Sequence, residues 1–134
     1  MMQYYCTVPG LPAPKGSRKS FVNPRTGRIV SLDACERTKP YQEAVALAVR
    51  EAMQGAPPLE GPISLTVTFL LPLPKRASRK LPCVRPDVDK LLRSVLDGMT
   101  SGGAYQDDGQ VTDVSVEKRY ASVPMTCLSW TVIS

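Results

Sequence analysis

From Ile63 to Leu71 the apolar residues Ile63, Leu65, Val67, Phe69 and Leu71 alternate with Ser64, Thr66 and Thr68. A period of two puts successive side chains on opposite faces, so this segment predicts a half-buried strand. The period changes from about Pro40 to Met53, where Tyr41, Ala44, Val45, Ala48 and Val49 recur at helical spacing opposite Gln42, Glu43, Arg50 and Glu51. That segment predicts an amphipathic helix, with Gly55 as its stop. A second helix is predicted from about Val88 to Met99, burying Leu91, Leu92, Val95, Leu96 and Met99 before a Ser101-Gly102-Gly103 loop. Shorter signals predict a strand from Gln3 to Val8, closed by Pro9-Gly10, Pro12 and Pro14. A small hairpin arm is expected where Ser20-Phe21-Val22 and Arg28-Ile29-Val30 flank the turn residues Asn23 to Gly27. Two further strands run from about Gln110 to Tyr120 and from Thr126 to Ile133, with a turn around Pro124. In the first of them Val114, Val116, Lys118 and Tyr120 share one face, which aims Lys118 inward among apolar residues.

At 134 residues the chain (1–134) is expected to form one domain with a real core. Its 17 Lys and Arg against 12 Asp and Glu give a net charge of +5, which favours polyanionic partners through counterion release. The basic residues gather in two loops: Lys15, Arg18 and Lys19 after the first strand, and Lys75, Arg76, Arg79 and Lys80 between Pro72 and Pro82, with Arg85 just beyond. A solvated surface would have the same composition. The chain contains no histidine, which excludes Ser-His-Asp and Cys-His catalysis and His-coordinated zinc. Cys6, Cys35, Cys83 and Cys127 show no C-x-x-C spacing, so reduced and mostly buried thiols are expected rather than a zinc knuckle or redox motif. No apolar run approaches the roughly 20 residues that span a bilayer, and Met1 to Tyr5 lacks the pattern of a signal peptide. The expected location is cytoplasmic.

Against this basic background, Asp87, Asp89 and Asp97 are followed by Asp107 and Asp108. Such acids can converge on a divalent cation, because Mg²⁺ prefers carboxylate oxygens and waters. Each pair also has a plainer reading: Asp87 and Asp89 as helix-start residues, Asp107 and Asp108 as turn residues. A calcium loop is excluded, since Leu92 stands where the sharp-turn glycine belongs and Gly98 where the closing glutamate belongs. The two pairs meet only if the Gly102-Gly103 loop turns the chain back beside the helix. An inward Lys118 is either a snorkelling stem or a group satisfied by Asp108 or a metal-bound phosphate. Arg93 and Asp97, spaced i,i+4, suggest a surface ion pair, and Asp97 reads as more structural than catalytic.

These residues resemble the RusA family of phage-type Holliday junction endodeoxyribonucleases. The resemblance rests on Pro86-Asp87-Val88-Asp89-x-Leu91-Leu92, on Asp107-Asp108-x-Gln110-Val111 with Lys118 following, and on Asp97 and Gly10-x-Pro12-x-Pro14-Lys15-Gly16-x-Arg18. It implies an α+β fold, with a small mixed β-sheet packed by two main helices, forming a symmetric homodimer that nicks opposed strands of four-way junction DNA. It also implies dependence on Mg²⁺, with Mn²⁺ as a substitute. By motif, Asp87, Asp89 and Asp108 match the essential acids and metal ligands, with Asp107 beside them. Arg93 falls where the family usually has a lysine, which keeps the charge but removes a proton shuttle. Lys90 replaces a common asparagine, where it would touch phosphate or repel the metal. Lys118 and Arg93 complete the expected catalytic set by offsetting phosphate charge. Lys15, Arg18, Lys19, Arg76, Arg79, Lys80, Arg85 and Lys90 are the expected DNA contacts. Two alternatives stay open: a non-cleaving junction or duplex DNA-binding protein of the same fold, and a nuclease for other branched substrates.

Overall fold

The computed structural model describes residues 2–16, 19–32 and 36–133. In chain order it forms strands β1 (Gln3–Pro9), β2 (Lys19–Val22) and β3 (Ile29–Leu32), helix α1 (Thr38–Met53), strand β4 (Ile63–Pro72), helix α2 (Val88–Gly102), strand β5 (Val111–Ala121) and strand β6 (Met125–Val132). A single 3-10 turn, Asp108–Gln110, leads into β5. The fold is α+β: four strands make a mixed sheet ordered β1-β6-β4-β5, while β2 and β3 form the separate antiparallel arm. β4 and β5 are parallel and the other pairs antiparallel. Parallel neighbours need a crossover, and α2 provides it.

β5 and β6 follow one another in sequence, yet they do not pair; β6 inserts between β4 and β1. The burial patterns account for this. β4 buries every second residue, as the alternation predicts, and can be flanked on both sides. β5 is mostly exposed along its first half, and Asp113, Glu117 and Arg119 suit it to a sheet edge.

One core joins Leu65, Val67 and Phe69 of β4 and Leu128 and Trp130 of β6 to Tyr41, Val45 and Val49 of α1 and Leu91, Val95 and Met99 of α2. Both helices therefore cover the same face of the sheet. They also press against each other along Ser94, Gly98 and Gly102, all buried and spaced by four. A Cβ on Gly98 would stand 2.6 Å from the Val45 Cβ, and one on Gly102 2.6 Å from the Ala46 carbonyl oxygen. That approach needs residues without bulk, and it extends α2 to Gly102, three residues beyond the expected end. Gly103, at φ +85°, then stops the helix. α1 ends at Met53 as expected, but its left-handed cap is Gln54, at φ 49°, one residue before the expected glycine.

Cys6, Cys83 and Cys127 are free thiols, and burial pushes the Cys6 thiol up to about 11; Cys35 lies outside the described residues. Among the described residues no helix is long and apolar enough to cross a membrane.

Candidate active site

α2 separates two acidic groups. Asp87 is its N-cap position and Asp89 lies in its first turn, but the Asp87 side chain makes no capping hydrogen bond. Both residues are exposed, and Asp87 has Lys90 at 3.6 Å. The backbone that delivers them is held from β5. Lys118 Nζ donates to the Val84 carbonyl at 2.8 Å and to the Pro86 carbonyl at 2.9 Å. The half-buried ammonium is thus satisfied by two carbonyls on either side of Arg85, and its visible work is to position the residues entering α2.

The second group gathers around the other end of the helix. Asp97, Asp107 and Asp108 line an open cavity of about 430 Å³ together with Gln42, Thr100 and Ser101. Asp97 and Asp108 also border a neighbouring cavity of about 240 Å³ shared with Lys15, Arg93 and Leu96. Asp97 receives Lys15 Nζ at 2.5 Å and Gln42 Nε2 at 3.2 Å on the same oxygen, so its ionic partner is Lys15 rather than Arg93. Lys15 is in turn tied to α2 through its own N–H, which donates to the Lys90 carbonyl at 2.9 Å.

Gln110 holds the Asp107-Asp108 turn in place. Its Oε1 accepts the N–H groups of Gln106 and Asp107 at 2.8 and 3.1 Å, while its Nε2 donates to the Leu59 and Gly61 carbonyls at 2.9 and 3.0 Å. The side chain clamps the turn to the segment entering β4. Beneath it Tyr105 is buried, with its hydroxyl donating to the Leu96 carbonyl at 3.2 Å. The crowding of carboxylates leaves a trace on Asp108, whose pKa is raised. Partial desolvation is the largest cause, followed by the hydrogen bond that protonated Asp108 donates to the Asp107 carboxylate and by the negative charges of Asp107 and Asp97; the Gly109 N–H pulls the other way.

Ten residues of α-helix separate Asp87 from Asp97, about 15 Å along the axis. Asp107 and Asp108 therefore meet Asp97, and Asp87 and Asp89 remain at the opposite end. Among the described residues, no three acids or cysteines stand close enough to share one cation. Two carboxylates with waters are nonetheless a normal Mg²⁺ set, and Asp107 and Asp108 supply two whose mutual repulsion a cation would relieve.

Of the expected DNA contacts, Arg76, Lys80 and Arg85 are exposed. Arg79 is half-buried, donating from Nε to the Tyr120 hydroxyl at 2.7 Å, and Lys90 faces Asp87. Arg18 lies outside the described residues, and the side chain of Lys19 is likewise not described. Two residues near the acids were missed as participants: Gln42, which carried no signal beyond a polar helix position, and Gln110, whose signal was its place in the acidic motif.

Residues 9–128 match the family model described as endodeoxyribonuclease RusA. The chain is also 30% identical to the uncharacterized protein YqaN of Bacillus subtilis (strain 168), in an alignment covering 88% of each.

Proposed function

The chain belongs to the RusA endodeoxyribonuclease family, and from that premise we propose that it resolves four-way DNA junctions by paired, Mg²⁺-dependent nicks. The observation that carries the proposal is the Asp107-Asp108 turn, pinned by Gln110, with Asp108 bordering the same cavity as Arg93. Asp107 and Asp108 would hold the cation, with Mn²⁺ as a substitute. When bound, it would lower the pKa of a coordinated water and offset charge on the phosphate.

The chain's own groups have separable tasks in this reading. Arg93 offers a fixed positive charge to the scissile phosphate without exchanging a proton. Lys15 neutralises Asp97 and so limits the negative charge around Asp108. The loop carrying Arg76, Lys80 and Arg85 attracts DNA backbone and orients it without reading bases. Asp87 and Asp89 join the acids of the turn through a symmetric partner: one subunit's α2 start completes the other's Asp107-Asp108 pair. A two-fold dimer would then present two equivalent sites to a two-fold junction.

A non-cleaving DNA-binding role has one specific observation in its favour. Lys90, where the family commonly has asparagine, stands 3.6 Å from Asp87 and competes with a cation for that carboxylate. The discriminating experiment is cleavage of a labelled four-way junction in Mg²⁺ or Mn²⁺, wild type beside Asp108→Asn, with linear duplex as control. Paired nicks lost in the variant are expected. Tight junction binding without cleavage by the wild type would establish the binding role instead.

A further inference from the structure

The backbone entering Asp87 borders a cavity of about 200 Å³ that the proposed hydrolysis does not use. Leu11, Pro12, Pro82 and Val84 give it apolar walls, while Arg37, Arg79 and Arg85 add three arginines to the same lining. Among the described residues no carboxylate lines it. Tyr120 adds an aromatic ring, and Arg79 is fixed to that ring both by its hydrogen bond to the hydroxyl and by its position 6.0 Å from the ring centroid. The Lys118 ammonium braces the lining residues Val84 and Pro86 through their carbonyls.

This lining does not match an apolar peptide, which has no use for three arginines, nor a bare anion, which has no use for proline and leucine. A nucleotide has both parts: a flat ring to lie against apolar and aromatic surface, and a phosphate for arginine. Stacked duplex bases cannot present a ring face to a pocket, whereas a branch point already has weakened stacking. The cavity is also continuous in sequence with the acids, since Arg85 and Pro86 immediately precede Asp87.

We propose that this groove is a nucleotide subsite that takes one unstacked nucleotide of the strand to be cut, with its base against Leu11, Pro82 and Tyr120 and its phosphate toward Arg79 and Arg85. The inference rests on the branched-DNA reading above and assigns a structural basis for selecting a branch over a duplex.

An abasic scan tests it. Four-way junctions carrying a single abasic nucleotide at successive positions around the exchange are titrated with the full chain in Ca²⁺, beside intact junction and linear duplex. Wild type should bind one of these junctions about tenfold more weakly than the intact one, because that base is missing from its pocket. Leu11→Glu puts a carboxylate at the groove from an exposed position, and Tyr120→Ala removes the ring. Both should weaken intact-junction binding about tenfold, become indifferent to the abasic position and leave duplex affinity unchanged; Leu11→Glu retains the test if Tyr120→Ala does not fold. A flat scan for wild type, or a positional penalty that persists in Leu11→Glu, overturns the subsite while leaving junction recognition standing. Equal wild-type affinity for junction and duplex overturns the junction reading itself, and the subsite with it.

Discussion

The two ends of α2 carry acids of the same type in opposite circumstances. At its start, Asp87 and Asp89 are exposed, and the backbone ahead of them is held by Lys118. At its end, Asp97, Asp107 and Asp108 crowd one cavity, each tied to the fold by a different device: Lys15 and Gln42 on Asp97, Gln110 on the turn. The contrast separates two ways of preparing a site. The end of the helix accepts electrostatic cost within one chain, visible in the raised pKa of Asp108. The start leaves its carboxylates exposed and needs something brought to them.

If both ends serve one reaction, removing either should be equally severe. Asp87→Asn and Asp108→Asn are each expected to lower junction cleavage by about 10²–10³-fold while sparing binding. A stability effect is also expected at Asp108. Folded Asp108 binds its proton more tightly than the unfolded chain does, so its contribution to stability falls as pH rises through the carboxylate range. Asp108→Asn should therefore melt above wild type at neutral pH, and the gap should close on acidification. Thermal melts at several pH values check this.

Mixing the two inactive chains sharpens the comparison further. Were each site built within one chain, every dimer would stay dead. Shared sites instead leave one intact site in each mixed dimer, so an equimolar mixture should regain roughly a quarter of wild-type nicking, confined to single strands. Nick counting on a doubly labelled junction reads the difference.

The devices behind the acids should matter less than the acids. Lys118→Met leaves the Val84 and Pro86 carbonyls without their donor, and cleavage should fall about tenfold to a hundredfold, with a shifted Mg²⁺ requirement and partial rescue by Lys118→Arg. Gln110→Ala removes four hydrogen bonds from the acid turn and should cost about 1–3 kcal/mol in denaturant unfolding, with a comparable loss of activity. An unchanged Mg²⁺ titration for both variants would argue that neither clamp acts on the site.

How much of this was legible beforehand follows from the range of each interaction. The alternation in β4 and the helical spacing in α1 and α2 were readable because burial of one face depends on local periodicity. The order of acids, glycine loop and Lys118 carried the family resemblance, since a motif survives as a string. What Lys118 touches was not readable: its partners lie 34 and 32 residues away. The same holds for Lys15, whose bond to Asp97 spans 82 residues, and for the insertion of β6 between β4 and β1. Even the acids reversed the simplest guess from spacing, because Asp97, taken as structural, joins Asp107 and Asp108 at their cavity while Asp87 and Asp89 stay apart.

The smallest expected effect bears on that reversal. The Lys15–Asp97 pair is short, yet its side chains are 46% and 37% exposed, so solvent screening holds its contribution to about 1 kcal/mol or less. Lys15→Met should thus lower the melting temperature by only about 5 °C at most. If Lys15 serves chiefly to hold Asp97 beside Asp108, its loss should leave junction affinity nearly unchanged and act on cleavage, since unneutralised Asp97 adds repulsion where Asp108 already resists ionisation. Were Lys15 instead a backbone contact of the kind its sequence position suggested, the variant would lose affinity for every DNA alike and its binding would depend less steeply on salt, by about one unit of slope. A salt titration of Lys15→Met beside Arg76→Met, whose side chain is exposed in the basic loop, decides which end of the molecule this lysine belongs to.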